Sequence, residues 1–101
     1  MKTIWKFPIL EPHEYNEIEM PEGADVLTVQ MQGKTMCLWA IVDPEAPKVP
    51  RMFNVCGTGN SMLEHVQRRY IGTIQMHGGQ YIFHIFEVLG DWRYLAGIKP
   101  A

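Results

Sequence analysis

Short apolar runs alternate with glycine and proline along this chain, and hardly any of them has the spacing of an amphipathic helix. Prolines at positions 8, 12, 21, 44, 47 and 50 divide the first half into segments shorter than most helices. The apolar runs are rich in β-branched and aromatic residues, which favour strands. The pattern therefore predicts a protein that is predominantly antiparallel β with very little helix.

The clearest predicted element is a β-hairpin over residues 70–88 that turns at Gly78-Gly79. Two consecutive glycines can both take the positive φ values that a two-residue hairpin turn requires. The resulting register pairs His77 with Gln80, Met76 with Tyr81, Ile74 with Phe83, and Gly72 with Ile85. One face of the hairpin is then an apolar core face, and the opposite face is mixed and carries Ile71, Thr73, Gln75, His77, Ile82, His84 and Phe86.

A second predicted hairpin covers residues 25–43 and turns at Gly33-Lys34, the residue order of a type II′ turn. Its expected pairs are Met31 with Met36, Val29 with Leu38, and Leu27 with Ala40. Further strands are expected over residues 3–7, 17–20 and 51–56.

Both hairpins have one apolar face and one amphipathic face, so we expect them to pack together. The predicted fold class is α+β and predominantly antiparallel β, with the hairpins in a small sandwich or a half-open barrel. One short helix is expected over residues 61–68, because Ser61 and Glu64 have capping-box spacing. The length of 101 residues fits one domain, 1–101, with the apolar tail 89–101 docked on it.

Net charge is −2 at pH 7, which gives no indication of direct binding to nucleic acid. The N-terminus lacks the apolar core of a signal peptide, and no apolar stretch is long enough to span a membrane. Cys37 and Cys56 lie in predicted strands, where reduced, buried thiols are expected. We therefore expect a cytoplasmic protein that has no membrane partner.

Acidic residues are concentrated near the N-terminus, since residues 11–25 contain six of them and no lysine or arginine. One interpretation is a solvated edge of the fold. The other is a surface that meets a basic partner protein, where charge complementarity selects the partner. The expected partner-binding residues are Glu14, Glu17, Glu19, Glu22 and Asp25.

The segment Gly57-Thr58-Gly59-Asn60-Ser61 joins a predicted strand to the predicted helix. Backbone N–H groups in such a loop can hold a phosphate, and nearby Arg68 and Arg69 would complete a site for a small anionic ligand. The predicted ligand-binding residues are Gly57, Thr58, Gly59, Arg68 and Arg69, and the alternative is a tight structural turn.

Catalytic motifs are not recognisable in this sequence. Ser61 lacks the elbow motif of a serine hydrolase, and the four histidines have no metal-ligand spacing. We therefore predict no enzyme activity, no metal and no cofactor. The content of methionine and tryptophan favours contacts with other proteins where these residues reach the surface. The mixed sheet face is therefore a candidate interface for a homodimer or a partner, unless the chain's own tail covers it. The residues expected on this face are Trp39, Ile71, Ile82 and Phe86.

Five stretches carry a resemblance to a known group: MKTIWKFPI, MPEGADVLTVQMQ, CLWAIVDPEAP, GTG and YIGTIQMHGGQYIFHIFEV. On these, the chain resembles a family of small uncharacterised proteins encoded by phages and prophages, over most of residues 1–88. The resemblance implies a genomic setting and not a chemistry.

Three functions are consistent with that setting. The leading prediction is a non-enzymatic phage accessory protein that binds and inhibits a host protein complex, such as a CRISPR-type defence complex. The first alternative is a protein that sequesters a small phosphorylated or nucleotide ligand. The second alternative is a structural or housekeeping subunit of an oligomer.

Overall fold

Seven antiparallel strands form two sheets in the computed structural model, which describes residues 1–98. The strands are β1 (Thr3–Ile9), β2 (Tyr15–Pro21), β3 (Asp25–Gln32), β4 (Thr35–Val42), β5 (Lys48–Gly57), β6 (Arg68–Met76) and β7 (Tyr81–Val88). The three-stranded sheet has the order β1-β4-β3, and the four-stranded sheet has the order β2-β5-β7-β6. The predicted β-rich class is confirmed, and the two sheets form a sandwich and are not closed into a barrel.

Both predicted hairpins are present, as β3–β4 and β6–β7. The register of β6–β7 is the predicted one from Met76, opposite Tyr81, to Gly72, opposite Ile85. The predicted pair of His77 with Gln80 lies in the turn and outside the strand pairing, since His77 has a φ of 53° and β6 ends at Met76. Gly78 and Gly79 have φ values of 66° and 91°, which allow the tight turn that sets this register.

Two β-bulges change the predicted faces. In β3 the register shifts between Val26 and Thr28, so Ala40 pairs with Val26 and not with Leu27 as predicted. In β6 the shift lies between Tyr70 and Gly72, and Ile71 packs against the core and not on the mixed face. An extra residue reverses the side-chain alternation at each bulge.

The main core lies between the two sheets. Strand β4 contributes Met36, Leu38, Ala40 and Val42, and the larger sheet contributes residues such as Phe53, Val55, Ile74 and Ile85. Because side chains alternate along β5, Met52 points to the opposite face and belongs to a second apolar cluster. That outer cluster also contains Tyr15, Val66, Val88, Trp92 and Ile98.

Residues 61–67 form irregular structure, and the predicted helix over 61–68 is wrong. The carbonyl oxygens of Leu63 and Val66 accept hydrogen bonds from the Arg68 side chain, and Val66 is buried in the outer cluster. These contacts replace the hydrogen bonds that a helix would have made. The helical turn of the described residues lies elsewhere, as a 3₁₀ segment at Trp92–Tyr94.

The segment after β7 lies against the outer face of the larger sheet, where Trp92 and Ile98 are buried. The predicted docked tail extends to residue 101, and its last three residues lie outside the described range. Within residues 1–98 there is no helix with the length and apolarity to cross a membrane.

Gly72 allows β6 and β3 to approach each other where the two sheets meet. A Cβ atom at this position would lie 2.9 Å from Cγ1 of Val29, which is closer than two carbon atoms pack.

We expect Gly72→Ala to lower the free energy of unfolding by about 1–3 kcal/mol, since overpacking at a rigid contact costs this much. Urea denaturation would measure it. If the clash is the cause, Gly72→Ala should cost much less in a Val29→Ala background, and equal costs in both backgrounds would contradict the explanation.

Candidate functional site

A cavity of about 400 Å³ opens at the end of the sandwich where the β6–β7 hairpin turns. Strands β5 and β6 end here, β4 and β7 begin here, and the β1–β2 loop crosses the same end. The deep wall of the cavity is apolar and consists of Met36, Val55, Met76 and Phe83. Its rim is polar and consists of the exposed residues His13, Glu14, Asn60 and Ser61, and the buried Cys56 lies beside them. A concave apolar wall with a few polar groups is typical of small-molecule sites.

Glu14 determines the charge of the cavity. It is the one Asp, Glu, Lys or Arg among the described residues that line it. Its side chain is exposed, and within residues 1–98 it takes part in no salt bridge, since both ion pairs there involve Glu87. A carboxylate at the rim repels an anion, so the cavity favours a neutral or cationic group at this point.

Asn54 connects the β1–β2 loop to Arg68 beneath the surface of the cavity. Its side chain is fully buried, and its Nδ2 donates a 2.9 Å hydrogen bond to the carbonyl oxygen of Glu14. Its Oδ1 accepts from Nε of Arg68 at 2.7 Å and from Sγ of Cys56 at 3.2 Å. The backbone N–H of Val55 also donates to the Glu14 carbonyl, at 2.8 Å. The β1–β2 loop is therefore held to the centre of β5.

Arg68 holds the loop that follows β5, on the opposite side of the cavity. Its Nη1 donates to the carbonyl oxygens of Leu63 and Val66 at 3.0 and 3.1 Å, and its Nη2 donates to the Tyr15 hydroxyl at 3.3 Å. The planar guanidinium group can make all of these bonds at once because it has five N–H donors in one plane. Arg68 thus supports the cavity from behind and is not aimed into it.

Burial raises the pKa of two hydrogen-bonding groups of this network, the Cys56 thiol and the Tyr15 hydroxyl. It raises the pKa of the Cys56 thiol above its ordinary value, an effect that neighbouring Arg68 partly opposes. Burial likewise raises the pKa of the Tyr15 hydroxyl, against the hydrogen bond from Arg68. A raised pKa lowers the fraction of Cys56 present as thiolate, which is the nucleophilic form of the side chain.

The predicted anion site is not assembled. Arg68 and Arg69 are successive strand residues and point to opposite faces of the sheet. Arg69 donates to Oε1 of the buried Glu87 at 2.8 Å, and Arg51 binds the same carboxylate through Nε and Nη2 at 2.6 and 2.8 Å. Neither arginine joins the loop of Gly57, Thr58 and Gly59. In that loop, Gly57 lines the cavity, and the Thr58 hydroxyl is 2.7 Å from Nε2 of His84.

The five predicted partner-binding carboxylates are exposed and are distributed over strands of both sheets and the segments beside them. Glu17 and Glu19 lie on the outward side of β2, an edge strand of the larger sheet. Glu22 lies in the turn after β2, and Asp25 begins β3 in the smaller sheet. Glu14 lies at the cavity rim. The chain passes from one sheet to the other within this segment, and this separates residues that are close in sequence.

The residues predicted to form one apolar interface face lie on two different sheets. Ile82 and Phe86 lie on β7 of the larger sheet, whereas Trp39 lies on β4 of the smaller one. His84 is opposite Thr73, as the predicted register requires, and its Nδ1 is 3.0 Å from the Thr73 hydroxyl. Sequence reasoning missed the cavity, although Met76 and Phe83 were both assigned to the core side near the hairpin turn.

Replacing Arg68 should test its structural role. We expect Arg68→Met to lower the free energy of unfolding by about 3 kcal/mol, because it removes the charged donor to buried Asn54, which keeps only the weak Cys56 thiol donor, and the side-chain donor to two carbonyl groups. Arg69→Met is the matched control. Its side chain is half exposed and Glu87 keeps Arg51, so we expect a loss under about 1 kcal/mol. Equal losses in urea denaturation would show that the Arg68 network does not have this role.

Comparison with known families finds one match, to the family described as Domain of unknown function (DUF7352), over residues 1–92. Comparisons with curated proteins and with solved structures find no match. The matched range contains both sheets and every residue that lines the cavity. The chain therefore belongs to the DUF7352 family, whose description assigns no activity.

Proposed function

We propose that this protein is a non-enzymatic binding protein that takes a small, mainly apolar ligand into the cavity at the hairpin end of the sandwich. The observation that carries this proposal is the cavity itself, about 400 Å³ in volume, with an apolar wall and a polar rim. Sites of this size and lining commonly enclose most of a small ligand.

The hydrogen bonding of the polar side chains that line the cavity favours binding rather than catalysis. Nucleophilic catalysis requires a nucleophile within hydrogen-bond reach of a base. Among the described residues at the rim, no hydrogen bond joins the side chains of His13, Cys56 and Ser61 to one another. The Cys56 thiol instead donates to Asn54, and burial raises its pKa.

The ligand we propose differs from the phosphorylated or nucleotide ligand expected from the sequence. The rim presents the Glu14 carboxylate, and the two arginines that would have bound an anion are engaged elsewhere. The resemblance to phage and prophage proteins supports a setting in the cytoplasm of an infected bacterium. There, sequestration of a host metabolite would be a direct means of interference.

A pair of neighbouring substitutions tests the cavity as the binding site. Ser61 and Met62 are both exposed and adjacent in an irregular loop, but only Ser61 lines the cavity. We expect Ser61→Trp to obstruct the opening and weaken binding of the neutral fluorescent probe N-phenyl-1-naphthylamine by about tenfold, and Met62→Trp to leave it unchanged. Fluorescence titration measures both. Absence of binding to the unsubstituted protein, or equal effects of the two variants, would refute the proposal.

A second candidate function is inhibition of a host protein complex, the leading expectation from the sequence. It is favoured by Glu17 and Glu19, which project from an edge strand and take part in no ion pair within the described part of the chain. Unpaired carboxylates at a sheet edge also discourage strand addition by other chains, and this is the competing structural explanation.

Charge reversal separates these two explanations. We expect Glu17→Lys, Glu19→Lys and Glu22→Lys together to abolish capture of a bacterial partner by the tagged protein, because complementary charge would become repulsion. The matched control reverses three exposed acidic residues elsewhere, Glu45, Glu64 and Asp91. Quantitative mass spectrometry of the captured proteins gives the readout. If both triple variants retain the same partners, or if neither the variants nor the parent captures any, the inhibitor function loses its support.

A further inference from the structure

A second cavity, of about 470 Å³, lies between the tips of the two hairpins. Its lining includes Met31 from β3, Lys34 from the β3–β4 turn, and Met76, Gln75 and His77 from the β6–β7 hairpin. Met76 also lines the first cavity, so the two cavities meet at its side chain. We refer to these two neighbouring cavities, with the Met76 side chain between them, as the groove at the hairpin end of the sandwich.

The apolar part of this groove is lined by thioether side chains. Met31, Met36 and Met76 are three of the seven methionines in the chain. Methionine is unbranched and flexible, and it adapts to the shape of the group that it contacts. A groove lined in part by methionine can therefore adapt to the shape of a flexible hydrocarbon chain.

The two ends of the groove carry opposite charges. Glu14 lies at the rim of the first cavity, and Lys34 lies at the second, in the tight turn between β3 and β4. Both side chains are exposed, and neither takes part in an ion pair within residues 1–98. An anionic group in the groove would be attracted to the Lys34 end and repelled from the Glu14 end, so the charges define an orientation.

His77 lies at the same end as Lys34 and has an unusual backbone. Its φ is 53°, and it is the one non-glycine residue with a positive φ in the described part of the chain. This conformation is unfavourable for a residue with a Cβ atom. Its ring packs edge-on against Tyr81, with ring centroids 5.5 Å apart and planes at 79°. The turn thus holds an imidazole, a further hydrogen-bond donor, at the mouth of the second cavity.

From these four observations we propose that the ligand is an unbranched amphiphile with a carboxylate head, bound with its head at Lys34 and His77. Its hydrocarbon chain passes Met76 and ends against Phe83 and Met36 in the first cavity. This inference rests on the proposed binding function, to which it adds the ligand class and its orientation.

Three ten-carbon ligands that differ only in the head group test the inference: decanoate, decylamine and 1-decanol. Isothermal titration below their micelle concentrations should show that the protein binds decanoate about tenfold more tightly than decylamine. Lys34→Glu should remove or reverse this preference while the affinity for 1-decanol stays the same. Lys34 is an exposed turn residue, so the variant should fold, and its circular dichroism spectrum would verify this. Lys48→Glu, at an exposed lysine at the start of β5, is the control and should retain the preference.

The outcomes separate the inference from the function on which it rests. If all three ligands bind equally, or if Lys34→Glu and Lys48→Glu have the same effect, the head-group assignment is wrong and the apolar cavity still binds ligands. If decylamine binds most tightly and the preference depends on Glu14, as shown by Glu14→Gln, the proposed orientation is wrong. If none of the three ligands binds although N-phenyl-1-naphthylamine does, the amphiphile class is wrong. If nothing binds, including the probe, the proposed function fails as well.

Discussion

Strand β5 is covered on both of its faces, and much of the structure follows from this constraint. Its residues Met52–Cys56 are all buried, which is unusual for a strand in a small antiparallel protein. Phe53 and Val55 face the smaller sheet, while Met52 faces the irregular segments that contain Val66, Trp92 and Ile98. The fold is thus a two-sheet sandwich with a third, irregular layer on one side.

Covering both faces of β5 places polar groups where water cannot reach them. Asn54 lies on the outer face of β5, and Glu87 lies beside Phe53 on the inner face. A buried carboxylate or amide is costly unless its hydrogen bonds are made within the protein. Arginine side chains supply these bonds in both cases: Arg68 for Asn54, and Arg51 with Arg69 for Glu87. Among the described residues, no fully buried side-chain nitrogen or oxygen atom lacks a hydrogen-bond partner.

The buried network on the outer face also shapes the cavity. Asn54 holds the β1–β2 loop through Glu14, and Arg68 holds the loop after β5 through Leu63 and Val66. These two loops bring Glu14 and Ser61 to the rim. Because hydrogen bonds already fix the two loops that border the cavity, these loops lose less conformational entropy when a ligand binds, and this favours binding. Glu14, in the loop before β2, is the one predicted partner-binding residue that lines the cavity, so the two candidate functions depend on largely separate residues.

The sequence by itself determined those features that depend on local geometry. Tight turns centred on Gly33-Lys34 and Gly78-Gly79 set both hairpin registers, because a tight turn leaves the adjoining strands one way to pair. The β-rich class, and strands close to residues 3–7, 17–20 and 51–56, also followed from side-chain patterns that are local.

Only the tertiary structure decided which faces these strands bury and which residues meet. The bulges at Leu27 and Ile71 lie where β3 and β6 come together, and the contact between Val29 and Gly72 belongs to no local pattern. The capping-box signal at Ser61 was overridden by Arg68, which binds carbonyl groups of the same segment. Arg68 and Arg69 were grouped because they are adjacent in sequence, yet a strand sends them to opposite sides of the sheet. The cavity forms where several strand ends from distant parts of the chain converge, and that convergence is a property of the packed sheets and not of any segment.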